Sequence, residues 1–447
     1  MAKQSLTALY GDCYILVISS LTSLPEGSMK TVCFPRIPGF ALLVSAALLI
    51  VGAAGLAVPA HAAEPIKIAI LAPLSITPGQ AIPAGAKLAA EDINRAGGLD
   101  GRQIELSVYD TKLSSTGAID AMKKAVLQDH AVAVVGLFTS EASLPLMPYA
   151  KRLNVPLILE SGTTKIGSMV HAQYDEYKNV FQLQLNSYYI AQEVCDAAHD
   201  LLAEGHPGGI SAVIMSEQAD WTRPLDTAYQ ACLPKAGIKV KKLVKYAVQT
   251  TDYSPIYSKI RGLKPNVIVM GMAHTGMVPV VQWHEDQVPA LMLGFNMQAG
   301  TNGFWKGSNG AAQGIIVVTN GAGGAAVTPK TPAFYHAYIE KYNEDPMLMA
   351  YTSYDAIFAV VDAIKRAGST EATKVVDQLQ KTNFVGVTGR IEFYGRDAQF
   401  AHVLKYGPGL VTGVAFQWQD GKQVVLWPKQ FAQGKLEFPA FVPQPKQ

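Results

Sequence analysis

From Ile66 onward, short apolar runs rich in β-branched residues alternate with longer segments of helical period. The first run, IKIAILAPL, is followed by a predicted helix with Pro83 near its start and Gly97-Gly98 at its end. Such alternation is typical of βαβ units, in which helices connect parallel strands and cover the sheet. The pattern therefore predicts an α/β chain with mainly parallel sheets.

The number of strands predicts more than one sheet. Further strands are expected at residues 102–110, 131–138, 155–161, 179–185, 209–216, 240–248, 266–272, 290–296 and 314–320. One sheet rarely holds so many parallel strands, so we expect two doubly wound lobes. Ligands bind beyond the carboxyl ends of such strands, which directs attention to the loops after Leu74, Phe138, Ser161, Ser216, Met272 and Asn296. Near the C-terminus, residues 411–427 predict an antiparallel hairpin about residues 419–421.

Residues 1–62 have the pattern of a leader that contains a signal peptide. Lys30 and Arg36 precede an apolar run at residues 40–58, which is followed by Ala60-His61-Ala62. A charged segment, an apolar segment and a small-x-small site are the parts of a secretory signal. We therefore expect residues 1–62 to be removed and the mature chain to be exported to the periplasm. The alternative is an uncleaved membrane anchor, because the run approaches the length that spans a bilayer.

Two of the four cysteines, Cys195 and Cys232, belong to the predicted mature chain. An oxidising compartment permits a disulfide between them. Two buried free thiols are equally compatible with the sequence, because spacing alone does not bring the two side chains together.

Composition argues against several classes of function. The 447 residues include 37 Lys and Arg against 35 Asp and Glu, which leaves a net charge of +2 and no electrostatic footprint for nucleic acid. Histidines do not cluster at metal-ligand spacing, and no nucleophile elbow is present. The glycine-rich segment 321–326 follows a strand, but Pro329 and Pro332 separate it from the next helical period, which argues against a phosphate-binding loop. We expect no catalytic residue, metal or cofactor, and a monomer.

Three ordered segments carry a resemblance to a known family: IKIAILAPL, then GAKLAAEDINRAGGLDGRQIELSVYD, then AVAVVGLFTSEASLPLMPYAKRLNVPLILES. Together with VTGRIEFY near the end, they resemble the branched-chain amino acid (leucine/isoleucine/valine-type) ABC transporter binding proteins, which are type I periplasmic binding proteins. The resemblance implies two Rossmann-like lobes joined by three crossovers. The implied lobes are residues 63–185 plus 320–393 and residues 186–319 plus 394–447.

The same resemblance implies a function and a partner. The cleft between the lobes would close on a small molecule, and a permease in the inner membrane would distinguish the loaded protein from the empty one. The protein would then be a solute-binding protein of an ABC importer rather than an enzyme. The alternative is a ligand sensor that hands its signal to a membrane partner, because the same fold serves both purposes.

Five residues at family positions bear on the charge of the ligand. Ser140, Ser161 and Thr163 match the positions that hold the ligand's carboxylate, and short hydroxyls with free backbone N–H groups suit that role. Asn186 and Asn296 stand where amino-acid-binding members carry acidic groups for the ligand's ammonium. A buried ammonium without a carboxylate partner is costly, so the two asparagines argue against a zwitterionic amino acid.

The residues expected on the pocket walls point to a flat, apolar ligand. Pro78 replaces a family aromatic beside Gln80, Trp221 replaces a family tyrosine, and Ala273 or His274 occupies a third aromatic position. An indole face, small residues and an imidazole favour an aromatic acid of the benzoate or hydroxycinnamate type. A branched-chain amino acid or an amide is the alternative ligand.

Overall fold

The computed structural model describes residues 13–16, 32–35, 64–204 and 209–444, and the chain divides into two units between residues 63 and 64. In the first unit, β1 (Cys13–Leu16) and β2 (Val32–Pro35) pair as antiparallel strands. The remainder of the predicted leader, including the apolar run and the cleavage site, lies outside the described residues. The second unit contains both larger sheets.

The first of these sheets has five strands, all parallel, in the order β4-β3-β5-β6-β7. Its strands are β3 (Ile66–Ala72), β4 (Ile104–Asp110), β5 (Ala133–Gly136), β6 (Leu157–Leu159) and β7 (Val180–Gln182). The helices among them are α1 (Thr77–Arg95), α2 (Ser115–Leu127), α3 (Ser140–Arg152), α4 (Lys165–Ala172) and α5 (Tyr174–Tyr177). The central strands are buried on both faces, as parallel strands covered by helices must be.

The second sheet has seven strands in the order β16-β15-β12-β11-β10-β8-β9. Five strands are parallel: β8 (Ile210–Glu217), β9 (Ile238–Tyr246), β10 (Val267–Met272), β11 (Leu291–Asn296) and β12 (Ile316–Thr319). The predicted hairpin adds two antiparallel strands, β15 (Val414–Gln419) and β16 (Lys422–Trp427). Asp420 and Gly421 have positive φ at its turn, as a two-residue hairpin loop requires.

Helices connect or flank these strands. They are α6 (Ser187–Ala198), α7 (Thr222–Cys232), α8 (Ser254–Leu263), α9 (Met277–Glu285), α10 (Asn302–Gly307), α11 (Thr331–Tyr342), α12 (Leu348–Ala367) and α13 (Ala372–Leu379). Short elements complete the set: a π-helical turn at His199–Ala203, 3₁₀ turns at Met297–Gly300 and Lys429–Phe431, and a small ladder of β13 (Phe384–Val385) with β14 (Arg390–Ile391).

Helix α12 returns the chain to the first sheet after β12. It packs along α1 and against β5, and most of its residues are buried. A helix with apolar residues on nearly every side is stable only when neighbours cover all of it. Farther along, His402 and Leu404 form backbone hydrogen bonds with Gln182 of β7, beyond the predicted boundary at residue 394. The residue limits of the two lobes stay a prediction.

The predicted fold class is confirmed, but the predicted start of the first helix is wrong. The helix begins at Thr77, six residues before Pro83, with Pro78 in its first turn. Proline suits that turn because the first helical N–H groups have no intrahelical partner. In the part of the chain that the structure describes, no helix combines the length and apolar character needed to cross a membrane.

Candidate functional site

A cavity lies where the carboxyl ends of strands from both sheets face one another. The empty space between its walls, open solvent included, is about 400 Å³. It is lined by Phe138, Thr139, Ser140, Glu160, Gly162, Gln184, Ile190, Trp221, Ala273, His274, Phe295, Met297 and Met349. Both sheets and helices α6 and α12 therefore contribute to one enclosure.

On the side of the five-stranded sheet, a sharp turn after β5 presents Ser140. Gly136 has a φ of 116°, and a Cβ there would lie 2.4 Å from the carbonyl oxygen of Leu71, so only glycine fits. Ser140 then begins α3, whose N-cap residue makes no side-chain hydrogen bond to the helix. The first backbone N–H groups of α3 are therefore without a capping side chain and can donate to a ligand.

The Oγ atoms of Ser140 and Ser161 lie 3.2 Å apart, and both side chains are buried. Gln182 holds this loop, since its Nε2 donates to the carbonyls of Ser161 and Thr163, the latter at 3.1 Å. Thr163 is also buried, but it is not among the cavity-lining residues, and its Oγ1 accepts from the N–H of Lys165. The pair of serines is a compact set of neutral donors suited to a carboxylate.

Ser187, the first residue of α6, connects the two sides of the cavity. Its Oγ lies 2.7 Å from the carbonyl oxygen of Gly162 and 2.7 Å from that of Trp221. Its backbone N–H also donates to Gly162. The first turn of α6 thus touches residues that line the cavity from each sheet.

Glu160, at the end of β6, lines the cavity with only 1% of its surface exposed. Its carboxyl oxygens lie 2.7 Å from Oγ1 of Thr352 and 2.8 Å from Oγ of Ser353, both on α12. Burial raises the pKa of Glu160 to about 7, because these two hydroxyls offset only part of the loss of solvation. The group therefore titrates near neutral pH.

Glu217, at the end of β8, is fully buried and has a much richer set of donors. It accepts from the backbone N–H groups of His274 and Thr275, from Oγ1 of Thr275, from Nε1 of Trp221 at 2.9 Å and from Nδ1 of His274 at 2.7 Å. Burial alone would raise the pKa of Glu217, but these hydrogen bonds and the charge of His274 lower it to about 2.

His274 is the counterpart of that carboxylate. Its hydrogen bond with Glu217 raises the pKa of the imidazole above its ordinary value, against the opposing effect of burial. Because Nδ1 is engaged with Glu217, Nε2 is the ring nitrogen left to meet a ligand. The pair thus presents an imidazole at the cavity whose positive charge is favoured by the neighbouring carboxylate.

The remaining wall is apolar. Trp221 and Phe295 pack edge to face with ring centroids 5.4 Å apart, and Ile190, Met297 and Met349 line the same space. Aromatic rings in this arrangement give a rigid face for a flat or branched apolar group. The cavity therefore combines a polar end with an apolar wall.

The two asparagines expected to face the ligand have another role. The Oδ1 of Asn186 accepts from the N–H groups of Tyr188 and Tyr189 and caps α6, and that of Asn296 accepts from Gln298 and caps the following 3₁₀ turn. Both side chains are buried, and neither is among the cavity-lining residues. Asparagine is a favoured N-cap because its side-chain oxygen satisfies free helical N–H groups.

The structure brings Ser140, Trp221, Ala273 and His274 together at the cavity, with Ser161 directly behind Ser140. Pro78 and Gln80 are not among its lining residues, because both lie in the first turns of α1. Gln80 donates to the carbonyl of Leu74 at 2.9 Å and borders a separate surface groove.

Sequence reasoning missed Glu160 and Glu217. Each closes a run of apolar residues, in VPLILES and in GISAVIMSE, and the signal was a carboxylate at the carboxyl end of a buried strand. Away from the cavity, a disulfide joins Cys195 of α6 to Cys232 of α7, with their Cα atoms 6.1 Å apart. Within the described residues, no cluster of side chains suits a metal ion.

Comparison with known proteins places this sequence in a family. The model of the periplasmic binding protein family matches residues 65–406. This chain belongs to the periplasmic binding protein family. The match includes every residue that lines the cavity.

Individual relatives are similar to this chain at low sequence identity. A leucine-, isoleucine-, valine-, threonine- and alanine-binding protein of Pseudomonas aeruginosa is 26% identical over 355 residues, which cover 76% of this periplasmic binding protein and 88% of the relative. A substrate-binding protein of a branched-chain amino acid transporter from Streptococcus pneumoniae, solved with isoleucine, superposes with a TM-score of 0.67 at 24% identity, covering 81% of this chain and 100% of the other.

A third comparison involves an aromatic ligand. A solute-binding protein of an ABC transporter from R. palustris, solved in complex with benzoate, superposes with a TM-score of 0.65 at 16% identity, covering 85% of this chain and 99% of the other. At such identities the two solved structures establish the fold of this periplasmic binding protein and leave its ligand to be argued from the cavity.

Proposed function

We propose that the protein is the periplasmic solute-binding component of an ABC importer and that its cavity binds a small aromatic acid of the benzoate or hydroxycinnamate type. One observation carries the proposal: the hydroxyl of Ser140, backed by that of Ser161, stands at the uncapped start of α3, in a cavity whose other wall is formed by Trp221 and Phe295. The first feature suits a carboxylate and the second a flat apolar ring.

The charges around the cavity support an acid rather than a zwitterion. Glu217 already accepts hydrogen bonds from His274, Thr275 and Trp221, and it favours the positive charge of the imidazole of His274. Glu160 is held as a neutral acid below about pH 7 by burial. An ammonium group would find no free anion there, whereas a carboxylate would find hydroxyls and an imidazole N–H.

Delivery of the ligand to a permease follows from the construction of the protein in two lobes. A ligand in contact with both sheets would stabilise the closed arrangement of the lobes, because it contributes binding energy only when both sides reach it. A permease in the inner membrane would then select the closed, loaded form. We expect no chemical conversion of the ligand, and release to the permease would return the protein to its open form.

Branched-chain amino acids are the second candidate ligands. The P. aeruginosa relative and the S. pneumoniae structure favour them by name, and Ile190, Met297 and Met349 would suit an aliphatic side chain. For such a ligand, Glu160 would have to lose its proton and face the ammonium.

Thermal stabilisation by a panel of ligands tests the proposal. Compounds that bind only the folded protein raise its melting temperature. We expect benzoate- and hydroxycinnamate-type acids to raise it and leucine, valine and aliphatic amides to leave it unchanged. Stabilisation by leucine or valine alone would replace the aromatic acid with an amino acid as ligand. Stabilisation by none of them would favour the sensor alternative.

A matched pair of serine variants locates the carboxylate. Ser140→Ala removes one hydroxyl from the proposed site, and loss of a hydrogen bond to a charged group weakens binding by about 10- to 100-fold. Ser143→Ala removes an equally buried hydroxyl from the same helix, where it donates to the carbonyl of Thr139. Ligand affinity of the Ser143 variant should match the wild type. Equal losses in both variants would argue that helix α3 acts through stability rather than contact.

A further inference from the structure

Glu160 is the only carboxyl among the cavity-lining residues that the structure describes, and its hydrogen-bond partners are hydroxyls rather than a cation. Its backbone N–H points to the carbonyls of Gly136 and Leu137, which anchors the end of β6 beside the turn that presents Ser140. Its side chain turns toward α12 and meets two hydroxyls there, those of Thr352 and Ser353. The carboxyl is thus rigidly placed at the edge of the ligand space.

The hydrogen bonds around Glu160 are completed by a proton on its carboxyl. Ser353 has a single hydroxyl proton, and its Oγ lies 2.6 Å from the carbonyl oxygen of Met349 in the preceding turn. When Ser353 donates to Met349, a protonated Glu160 can donate to Oγ of Ser353 at 2.8 Å while accepting from Thr352 at 2.7 Å. Every group in this small network then has a partner.

The surroundings offer little to an ionised Glu160. The hydrogen-bond partners of its carboxyl among the described residues are the uncharged hydroxyls of Thr352 and Ser353 on α12. No lysine or arginine is among the cavity-lining residues that the structure describes. The titratable group across the cavity is His274, which is already paired with Glu217.

We propose that Glu160 determines which ligand charge the cavity accepts: the protonated carboxyl admits a ligand carboxylate, and the ionised carboxyl rejects it. This inference rests on the proposed function, since it assumes that the cavity binds an acid. It goes further, because each bound acid then requires that the carboxyl of Glu160 keep its proton. Above the pH at which Glu160 ionises, affinity for the acid then falls by up to about tenfold per pH unit.

The direction of the pH dependence distinguishes this role from the amino-acid alternative. The binding of a ligand carboxylate beside Glu160 is favoured by the protonated form and weakens as the pH rises. An amino acid whose ammonium pairs with Glu160 would bind more tightly as the pH rises, because pairing needs the ionised form. His274 adds a second loss of acid affinity with rising pH, since its positive charge also disappears.

Calorimetric titration with benzoate between about pH 5.5 and 8.5 tests the proposal, using the wild type, Glu160→Gln and His274→Asn. Benzoate itself stays ionised over this range. We expect wild-type affinity to fall steeply above about pH 7, and the Gln variant to bind at least tenfold more tightly than the wild type at the alkaline end. The His274 variant should bind more weakly throughout and keep the Glu160-dependent fall.

A second variant keeps the test decisive if Glu160→Gln fails to fold. Thr352→Val removes a hydrogen bond that lowers the pKa of Glu160, so the fall in affinity should begin at higher pH. Binding of benzoate with the same slope in the wild type and in Glu160→Gln would overturn the inference and leave the proposed function intact. Tighter binding of leucine at higher pH would overturn it as well. Absence of benzoate binding at every pH would instead contradict the proposed function.

Discussion

Two glutamates near the cavity, Glu160 after β6 of one sheet and Glu217 at the end of β8 of the other, have pKa values shifted in opposite directions. Both are almost completely buried, so burial alone does not distinguish them. Glu217 meets backbone N–H groups, an indole N–H and an imidazole, whereas Glu160 meets two hydroxyls that have backbone carbonyls as alternative acceptors. The difference teaches that the donors around a buried carboxyl, rather than its depth, decide whether it stays ionised.

Loss of the Glu217 carboxylate should have the largest effect. Glu217→Gln leaves Nδ1 of His274 and the hydroxyl of Thr275 without an ionised acceptor, and breaking a buried pair in this way costs about 3–5 kcal/mol of unfolding free energy. Urea denaturation measures this cost. Glu105→Gln, on an exposed face of β4, is the control and should change the free energy by less than about 0.5 kcal/mol. Similar small effects in both variants would contradict the account of Glu217.

Glu160 should make the folded protein less stable as the pH rises. Its folded pKa is about 7, raised from an ordinary value of 4.5, so its contribution is full below about pH 4.5 and is lost as the pH rises through 7. Relative to Glu160→Gln, the wild type should therefore lose about 1–3 kcal/mol of unfolding free energy between pH 4 and pH 8.

Denaturant melts of both proteins across that range provide the measurement. Other buried acids such as Asp355 titrate in both proteins, so their contributions cancel in the difference. A wild-type stability that rose with pH relative to the Gln variant would mean that Glu160 is ionised in the folded protein.

Substitution of Trp221, one of the donors to Glu217, should have the smallest effect of the three changes. Trp221→Phe keeps an aromatic ring against Phe295 but removes the N–H that reaches Glu217 at 2.9 Å. Because several other donors remain on Glu217, we expect a loss of about 1 kcal/mol in stability and a few-fold loss of benzoate affinity. Urea melts and calorimetry measure the two quantities. A loss as large as that in Glu217→Gln would show that the indole, rather than His274, holds the carboxylate.

The fold could be predicted from the sequence because its signal is repeated in every unit of the chain. Apolar runs ending in Ser216, Met272 and Asn296 correspond to β8, β10 and β11, and the loops after them reach the cavity. Local chemistry was harder to predict. Asn186 and Asn296 occur where the resemblance expects ligand contacts, but both cap helical turns, and sequence does not distinguish a capping side chain from one that faces a ligand.

The missed residues depended on long-range contacts. The partners of Glu160, Thr352 and Ser353, lie more than 190 positions away in the chain, and those of Glu217 include His274, 57 positions away. Sequence patterns do not show that donors so far away in the chain contact Glu160 and Glu217. Pro78 was expected on the pocket wall, but it lies in the first turn of α1. Proline is favoured there because the first helical N–H groups have no intrahelical partner.

A crystal structure of the protein grown with benzoate tests the central claim most directly. We predict density for the carboxylate against Ser140 and the start of α3, with the ring between Trp221 and Phe295 and the carboxyl of Glu160 within reach of Ser353. Density for benzoate elsewhere, or an amino acid in the cavity with its ammonium on Glu160, would contradict the account.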